Sequence, residues 1–281
     1  MALPDNFDLD QFVTRVFEED LGKGGDVTSN ATIDADARFT ADMNCRQPIV
    51  VAGLDIAVAF FKRLDPDVRV EQPVRDGEAA GVRTTLLRLE GNARAMLAAE
   101  RSALNTLQHL SGIATLTRQY VDQIAGTGAV LLDTRKTIPG LRALEKYAAL
   151  MGGAQNHRMR LDDGVLIKDN HVAVCGGVAE AVRRAKAANT GLQVQVEVDR
   201  VDQIETALAA GADRLLLDNM PPHILREAVA LVAGRVPLEA SGGVTLETIR
   251  EIAETGVNFI SVGRITQSAP AVDIGLDYTT I

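Results

Sequence analysis

The chain has 281 residues, 46% hydrophobic and 24% charged, with a formal net charge of −9 and two cysteines. That length carries one large α/β domain or two modest ones, and the balance is that of a globular core, not of a disordered or fibrous chain. Cys45 and Cys175 are too few for a disulfide framework, and no Cys/His spacing of the zinc type is present.

No run approaches the roughly 18 apolar residues of a membrane helix. Residues 1–10 are acidic and polar, unlike a secretory signal, so a cytoplasmic protein is expected. The acidic total disfavours a general nucleic-acid binder. It hides an asymmetry: residues 135–171 hold seven Lys/Arg against four Asp/Glu, a local charge of +3 against −12 for the remainder. A basic island in an acidic chain suits a pocket for a small anion, although a chance fluctuation of solvated charge would look the same.

In chain order, residues 9–17 form a short amphipathic helix. Residues 38–43 and 68–72 alternate like half-exposed strands, 56–64 is helical, and 82–89 is a further strand. Residues 92–124 form one long helix, or two joined near Ser111-Gly112. This mixture predicts an N-terminal α+β sandwich domain over residues 1–115.

The second half has a different rhythm. Short apolar runs at 129–132, 165–167, 192–198, 214–217, 236–238 and 258–262 have the length of buried strands. Helical patterns at 141–151, 177–188, 201–210, 223–232 and 245–255 separate most of them. Pro221-Pro222 suits a helix start and Thr245 an N-cap, while Gly191, Gly211, Gly234 and Gly256 fall where helices should stop. Alternating strands and helices imply a parallel sheet with right-handed crossovers. Without a GxGxxG after the first strand, a closed or nearly closed barrel over residues 116–269 is favoured over a doubly wound sheet, which stays open as an alternative.

In barrels of βα units the chemistry gathers at the C-terminal ends of the strands. The polar residues that follow these runs are Arg135, Lys136, Lys168 and His171, then Glu197 and Asp218. Two glycine turns complete the set, Ser241-Gly242-Gly243 and Val262-Gly263-Arg264. Each piece alone has a bland reading: a turn, an N-cap, a solvated loop. Together they would ring one mouth. Arginine and lysine fit carboxylates and phosphates. Two acids fit a divalent metal, usually magnesium where the substrate carries phosphates. Glycine turns after the last strands offer backbone N–H groups to a phosphate. No Ser-His-Asp set, HExxH or P-loop stands out. Such a site would neutralise and position substrates that bring their own nucleophile and leaving group. Arg101, Asn105, Gln108 and His109 share one face of the long helix, ordinarily a wet face.

Specific blocks carry a resemblance. They include Asp133-Thr134-Arg135-Lys136-Thr137, Lys168-Asp169-Asn170-His171, Asn156-His157-Arg158, Asp218-Asn219-Met220 and residues 100–115 and 239–243. Over essentially its whole length the sequence resembles the quinolinate phosphoribosyltransferase family. The resemblance implies an incomplete TIM-like α/β barrel, with the tail at about 270–281 returning to the N-terminal domain. It implies transfer of the phosphoribosyl group of phosphoribosyl pyrophosphate to quinolinate with decarboxylation, in NAD biosynthesis. Arg135, His157, Arg158 and Lys168 would bind the quinolinate carboxylates, with Thr134 in the same block. Arg101 would reach in from the partner subunit of a homodimer, which could assemble further to a hexamer. Lys136, Glu197 and Asp218 would hold phosphoribosyl pyrophosphate and Mg2+. Ser241, Gly242, Gly243, Val262, Gly263 and Arg264 would hold the 5-phosphate, Arg264 standing where the family commonly has a small residue. Two other readings remain at this point. One is a Schiff-base lyase using Lys136 or Lys168; the other is a family member specialised away from quinolinate.

Overall fold

The computed structural model describes Pro4 and residues 7–280. Leu9–Leu21 (α1) starts on Asp8, whose carboxylate accepts the Gln11 N–H, and buries Val13 and Phe17. Asp26 caps Val27–Thr32 (α2) through the Thr28 and Ser29 N–H groups. Arg38–Cys45 (β1), Ile49–Val50 (β2), Leu54–Leu64 (α3), Arg69–Glu71 (β3), Ala79–Ala80 (β4) and Thr85–Asn92 (β5) follow. Ala93–Gln123 (α4) is one unbroken helix of 31 residues. Then come Val130–Leu132 (β6), Arg142–Gly152 (α5), Val165–Ile167 (β7), Asp169–Cys175 (α6), Val178–Ala187 (α7) and Val194–Val198 (β8). Asp202–Ala209 (α8), Arg214–Asp218 (β9), Pro222–Val232 (α9), Leu238–Ser241 (β10), Ile249–Ala253 (α10), Phe259–Ser261 (β11), Arg264–Gln267 (α11) and Ile274–Thr280 (β12) complete the order. Among the described residues no helix is long and apolar enough to cross a membrane.

Two compact units divide the chain. The first takes residues up to 118, 139–153 and from 268 onward; the second takes 119–138 and 154–267. Residues 139–153, which the sequence pattern places among the barrel segments, therefore group with the first unit.

The first unit is built on an antiparallel sheet of order β12-β1-β5-β3. Alternation along β1 buries Phe39, Ala41, Met43 and Cys45 on one face. The other face carries charge pairs such as Arg88 on Asp42, at 2.8 Å. β12 pairs with β1 from Ile274 opposite Cys45 to Thr280 opposite Phe39. Two glycines let backbones close up here. A Cβ on Gly152 in α5 would lie 2.4 Å from Thr117 Cβ, and one on Gly112 in α4 would lie 2.2 Å from the Pro270 carbonyl oxygen. The polar stripe of α4 divides. Gln108 Nε2 donates to the Ile274 carbonyl at 2.9 Å, and His109 Nε2 sits 3.0 Å from the buried Glu145 carboxylate. Arg101 and Asn105 are exposed.

The second unit is a six-stranded parallel sheet of order β6-β11-β10-β9-β8-β7. The last strand pairs with the first, so the order is cyclic and the ring is interrupted only between β6 and β7. A doubly wound sheet would instead reverse direction at a switch point. The observed order is the incomplete TIM-like barrel. Beside the gap, the Gln155 N–H donates to the Leu131 carbonyl and the Asp133 N–H to the Gln155 carbonyl, at 2.9 and 3.2 Å. The segment after Ala154 thus runs as a short rail along β6. Pro222 opens α9 at its first turn as its ring geometry favours. Thr245 does not cap a helix. α10 begins only at Ile249, with Thr248 at the N-cap position, because residues 245–248 close a hydrogen-bonded turn first.

Gly112→Ala is expected to lower stability by about 1–3 kcal/mol, since the methyl meets rigid backbone and something must shift. Chemical denaturation measures it, and an unchanged midpoint would contradict the close approach.

Candidate active site

At the C-terminal ends of the barrel strands lies a cavity of about 670 Å³. Every residue proposed for the site from sequence lines it except Arg101 and His171. Thr134, Arg135 and Lys136 come from the loop after β6, and His157 and Arg158 from the rail. Lys168 follows β7, Glu197 lies in β8, Asp218 ends β9, Ser241 ends β10, and Gly242, Gly243, Val262, Gly263 and Arg264 follow β10 and β11. His171 does not line it. Its Nδ1 instead accepts the Lys168 N–H at 3.0 Å, at the start of α6.

The cationic end is built from beneath. Asp133 is fully buried after β6. Its carboxylate accepts the Asn156 amide at 2.5 Å and the His157 backbone N–H at 2.8 Å, which fixes the rail that carries His157 and Arg158. Arg158 donates from Nη1 to the Gly164 carbonyl at 2.9 Å. Burial and the neighbouring charge of Arg135 both push the Arg158 guanidinium down from its ordinary range, with Asp163 opposing them. An arginine does not lose its proton at neutral pH, so the two guanidiniums are held in mutual repulsion. Arg135 Nε is buried with no hydrogen-bond partner. A buried, unpaired donor costs about 1–3 kcal/mol. A bound anion would relieve both strains.

Opposite stand two acids. Burial pushes the Glu197 carboxyl up, and the nearby Asp218 charge pushes it the same way; Lys168, whose Nζ is 3.8 Å from Glu197, opposes both. Asp218 accepts the Asn219 amide at 2.7 Å. Asn219 adopts a left-handed backbone, φ 54°, and its N–H donates to the Ser241 carbonyl at 2.8 Å.

The glycine turns form the third wall. Gly242 has φ 97°, and a Cβ there would meet Asn219 Oδ1 at 2.1 Å. Only glycine fits that turn. Gly263 packs on the aliphatic chain of Lys136, where a Cβ would meet Cδ at 2.7 Å. Thr266 Oγ1 donates to the Lys136 carbonyl at 2.8 Å, so α11 holds the Lys136 loop in place. The N–H groups of Gly242, Gly243, Gly263 and Arg264 have no hydrogen-bond partner among the described residues. They are free to cradle a phosphate.

Sequence reading missed the supports. Glu239, fully buried in β10, lines the cavity floor. It stands two residues before Ser241, so the period of a strand already placed both on one face. Burial pushes its carboxyl up, but His157, Arg214 and Gln195 outweigh this and hold it below the usual carboxylate range. Asp133 and Asn156 carried no signal beyond their place in motif blocks.

The arrangement can bind a doubly charged organic acid at one end and a phosphorylated partner along the turns, with carboxylates between to stabilise positive charge. Known proteins agree with this chemistry. Residues 26–111 match the family model described as the quinolinate phosphoribosyl transferase N-terminal domain, and residues 113–277 match that of the C-terminal domain. The chain is 44% identical over 270 residues to a carboxylating nicotinate-nucleotide pyrophosphorylase of Mycobacterium leprae, covering 94% of this chain and 95% of that one. It is 40% identical over 293 residues to a chloroplastic enzyme of the same name from Arabidopsis thaliana, covering 98% and 84%. A crystal structure of nicotinate-nucleotide pyrophosphorylase from Ehrlichia chaffeensis superposes with a TM-score of 0.94 at 39% identity, covering 98% of this chain and 100% of that one.

Gly242→Ala is expected to weaken phosphate-monoester binding at least about tenfold, roughly 1.4 kcal/mol, because the turn cannot keep its N–H groups aimed. Calorimetric titration with ribose 5-phosphate measures this; unchanged affinity would remove the turn from the site.

Proposed function

The chain belongs to the quinolinate phosphoribosyltransferase family, and on that premise we propose how its own residues carry the reaction. The enzyme is a pentosyltransferase of NAD biosynthesis. It moves the phosphoribosyl group of phosphoribosyl pyrophosphate to quinolinate, giving nicotinate mononucleotide, pyrophosphate and carbon dioxide. The observation that carries the residue assignment is that Arg135 and Arg158 line one end of the cavity together, Arg135 with a buried unpaired Nε. Quinolinate brings two adjacent carboxylates, enough negative charge to satisfy both.

The pyridine nitrogen is already a nucleophile and needs no general base. Held by Arg135, Arg158, Lys168 and His157, the ring presents that nitrogen to the anomeric carbon. The C–N bond forms as the bond to pyrophosphate breaks, and the electron pair leaves with the pyrophosphate oxygen. Positive charge on the ribose is largest at the transition state, where Glu197 and Asp218 stabilise it. Lys136 takes up charge on the leaving group. The 5-phosphate rests on the N–H groups of the two glycine turns, with Thr134 and Arg264 at the rim. The pyridinium that results withdraws electrons, so the bond to the 2-carboxylate breaks toward the ring and carbon dioxide departs. A proton then fills the vacated ring position.

Magnesium fits this site as an ion carried by the substrate. Among the described residues no three His, Cys, Asp or Glu side chains converge as a metal nest. Two carboxylates beside substrate phosphates are what magnesium ordinarily uses, and Glu197 and Asp218 would hold it. When bound, it supplies charge neutralisation to the pyrophosphate.

A homodimer is part of the same proposal. Arg101 is exposed on α4 and is absent from its own cavity's lining; it would complete the site of a second copy. The proposed compartment is the cytoplasm, in keeping with two free cysteines.

The test of the reaction is one assay with quinolinate, phosphoribosyl pyrophosphate and magnesium, following mononucleotide and carbon dioxide together. Equal yields from quinolinate and none from nicotinate are expected. An intact protein that forms neither product would overturn the reading. For the shared site, Arg101→Ala and Lys136→Ala should each be inactive alone, and their mixed dimers should regain activity. No recovery from demonstrably mixed dimers would confine Arg101 to some other role.

A further inference from the structure

Barrel interiors are ordinarily filled by branched apolar side chains. Here the layer beneath the cavity is polar. Glu239 Oε2 accepts from Gln195 Nε2 at 2.8 Å and pairs with Arg214 Nη2 at 2.6 Å. Arg214 in turn lies 3.9 Å over the ring of Phe259. Glu239 is fully buried, and Arg214 is partly buried, its side chain 18% exposed. Removing two charges from water is costly, and an apolar pair of the same volume commonly does as well for stability. Stability alone therefore gives a poor account of this plug.

The plug has one connection upward. His157 Nδ1 accepts the Arg158 backbone N–H at 2.8 Å. That leaves the ring proton on Nε2, 3.4 Å from Glu239 Oε2. The imidazole is thus spanned between the plug and the backbone of the arginine beside it. Asp133 holds His157 and its other neighbour, Asn156, from the β6 side. The Arg158 N–H sets the ring's tautomer, and Glu239 faces its Nε2 edge and so sets its tilt.

We propose that Glu239, seated on Arg214 and Gln195, is a positioning residue that fixes the His157 imidazole and the Arg158 backbone, and so preorganises the dicarboxylate end of the cavity. This rests on reading that end as the quinolinate site. Glu239 acts through His157 and does not touch the reacting atoms. Its contribution falls on quinolinate, because the phosphate turns are built by other residues.

The test is steady-state kinetics of Glu239→Gln, which keeps the volume and removes the charge. KM for quinolinate should rise at least about tenfold, while KM for phosphoribosyl pyrophosphate changes less than about threefold. In a His157→Ala background the same substitution should alter KM for quinolinate less than about twofold, since its effect runs through the ring. If Glu239→Gln does not fold, the paired Glu239→Gln, Arg214→Met variant removes both buried charges together and should show the same selective rise. Equal rises in both KM values, or full additivity with His157→Ala, would reduce the plug to scaffolding and overturn the proposal. So would a wild-type enzyme that is active beside an unchanged variant. A wild-type protein that neither binds nor turns over quinolinate would fell the functional reading and this inference with it.

Discussion

Two like charges held together by the fold are the constraint on which the site depends. Arg135 reaches the cavity from the loop after β6 and Arg158 from the rail beside it. Asp133 ties the rail that carries Arg158 to the strand. Neither arginine can lose its proton. Repulsion that Asp163 offsets only in part would favour a ligand with two negative groups side by side. The proposed specificity follows from the same feature. An acid with one carboxylate leaves part of the cost unrecovered, and unpaired buried donors are what give polar sites their discrimination.

The barrel supplies this geometry cheaply. Its strands are cyclic in order with one interruption, between β6 and β7. A closed ring would place a paired strand there. The interruption leaves room for a rail whose side chains point where the chemistry is, while Gln155 satisfies the backbone of β6. Strand ends on the other side present acids from β8 and β9, and glycine turns from β10 and β11. Cations, anions and backbone donors thus occupy separate arcs of one mouth, which suits a reaction in which positive charge develops between two anionic substrates.

Much of this was legible in the sequence because it is local. The strands from 165 to 217 are short apolar runs with polar ends, and period and punctuation suffice to place them. The polar ends then fall at one mouth by the rules of the βα unit. The long helix was legible in extent, but whether Ser111-Gly112 breaks it was not. That choice depends on the chain at Pro270, which needs the missing side chain of Gly112. The division of the α4 stripe into packing and exposed residues likewise depends on Ile274 and Glu145, far away in sequence. Glu239 was overlooked because a lone Glu in an apolar strand reads as a strand end, and its partners Arg214, Gln195 and His157 come from three other segments. Thr245 looked like a cap because residue type marks caps well, yet the hydrogen-bonded turn at 245–248 postpones the helix.

The most direct measurement is the binding of quinolinate and of nicotinate to the free enzyme, by calorimetry at one pH and one salt concentration. The second carboxylate is the only difference between them that the arginine pair can read. Quinolinate should bind at least about a hundredfold more tightly, roughly 2.7 kcal/mol, and the advantage should vanish in Arg135→Met. Equal affinity of the two acids for the wild-type enzyme would contradict the account.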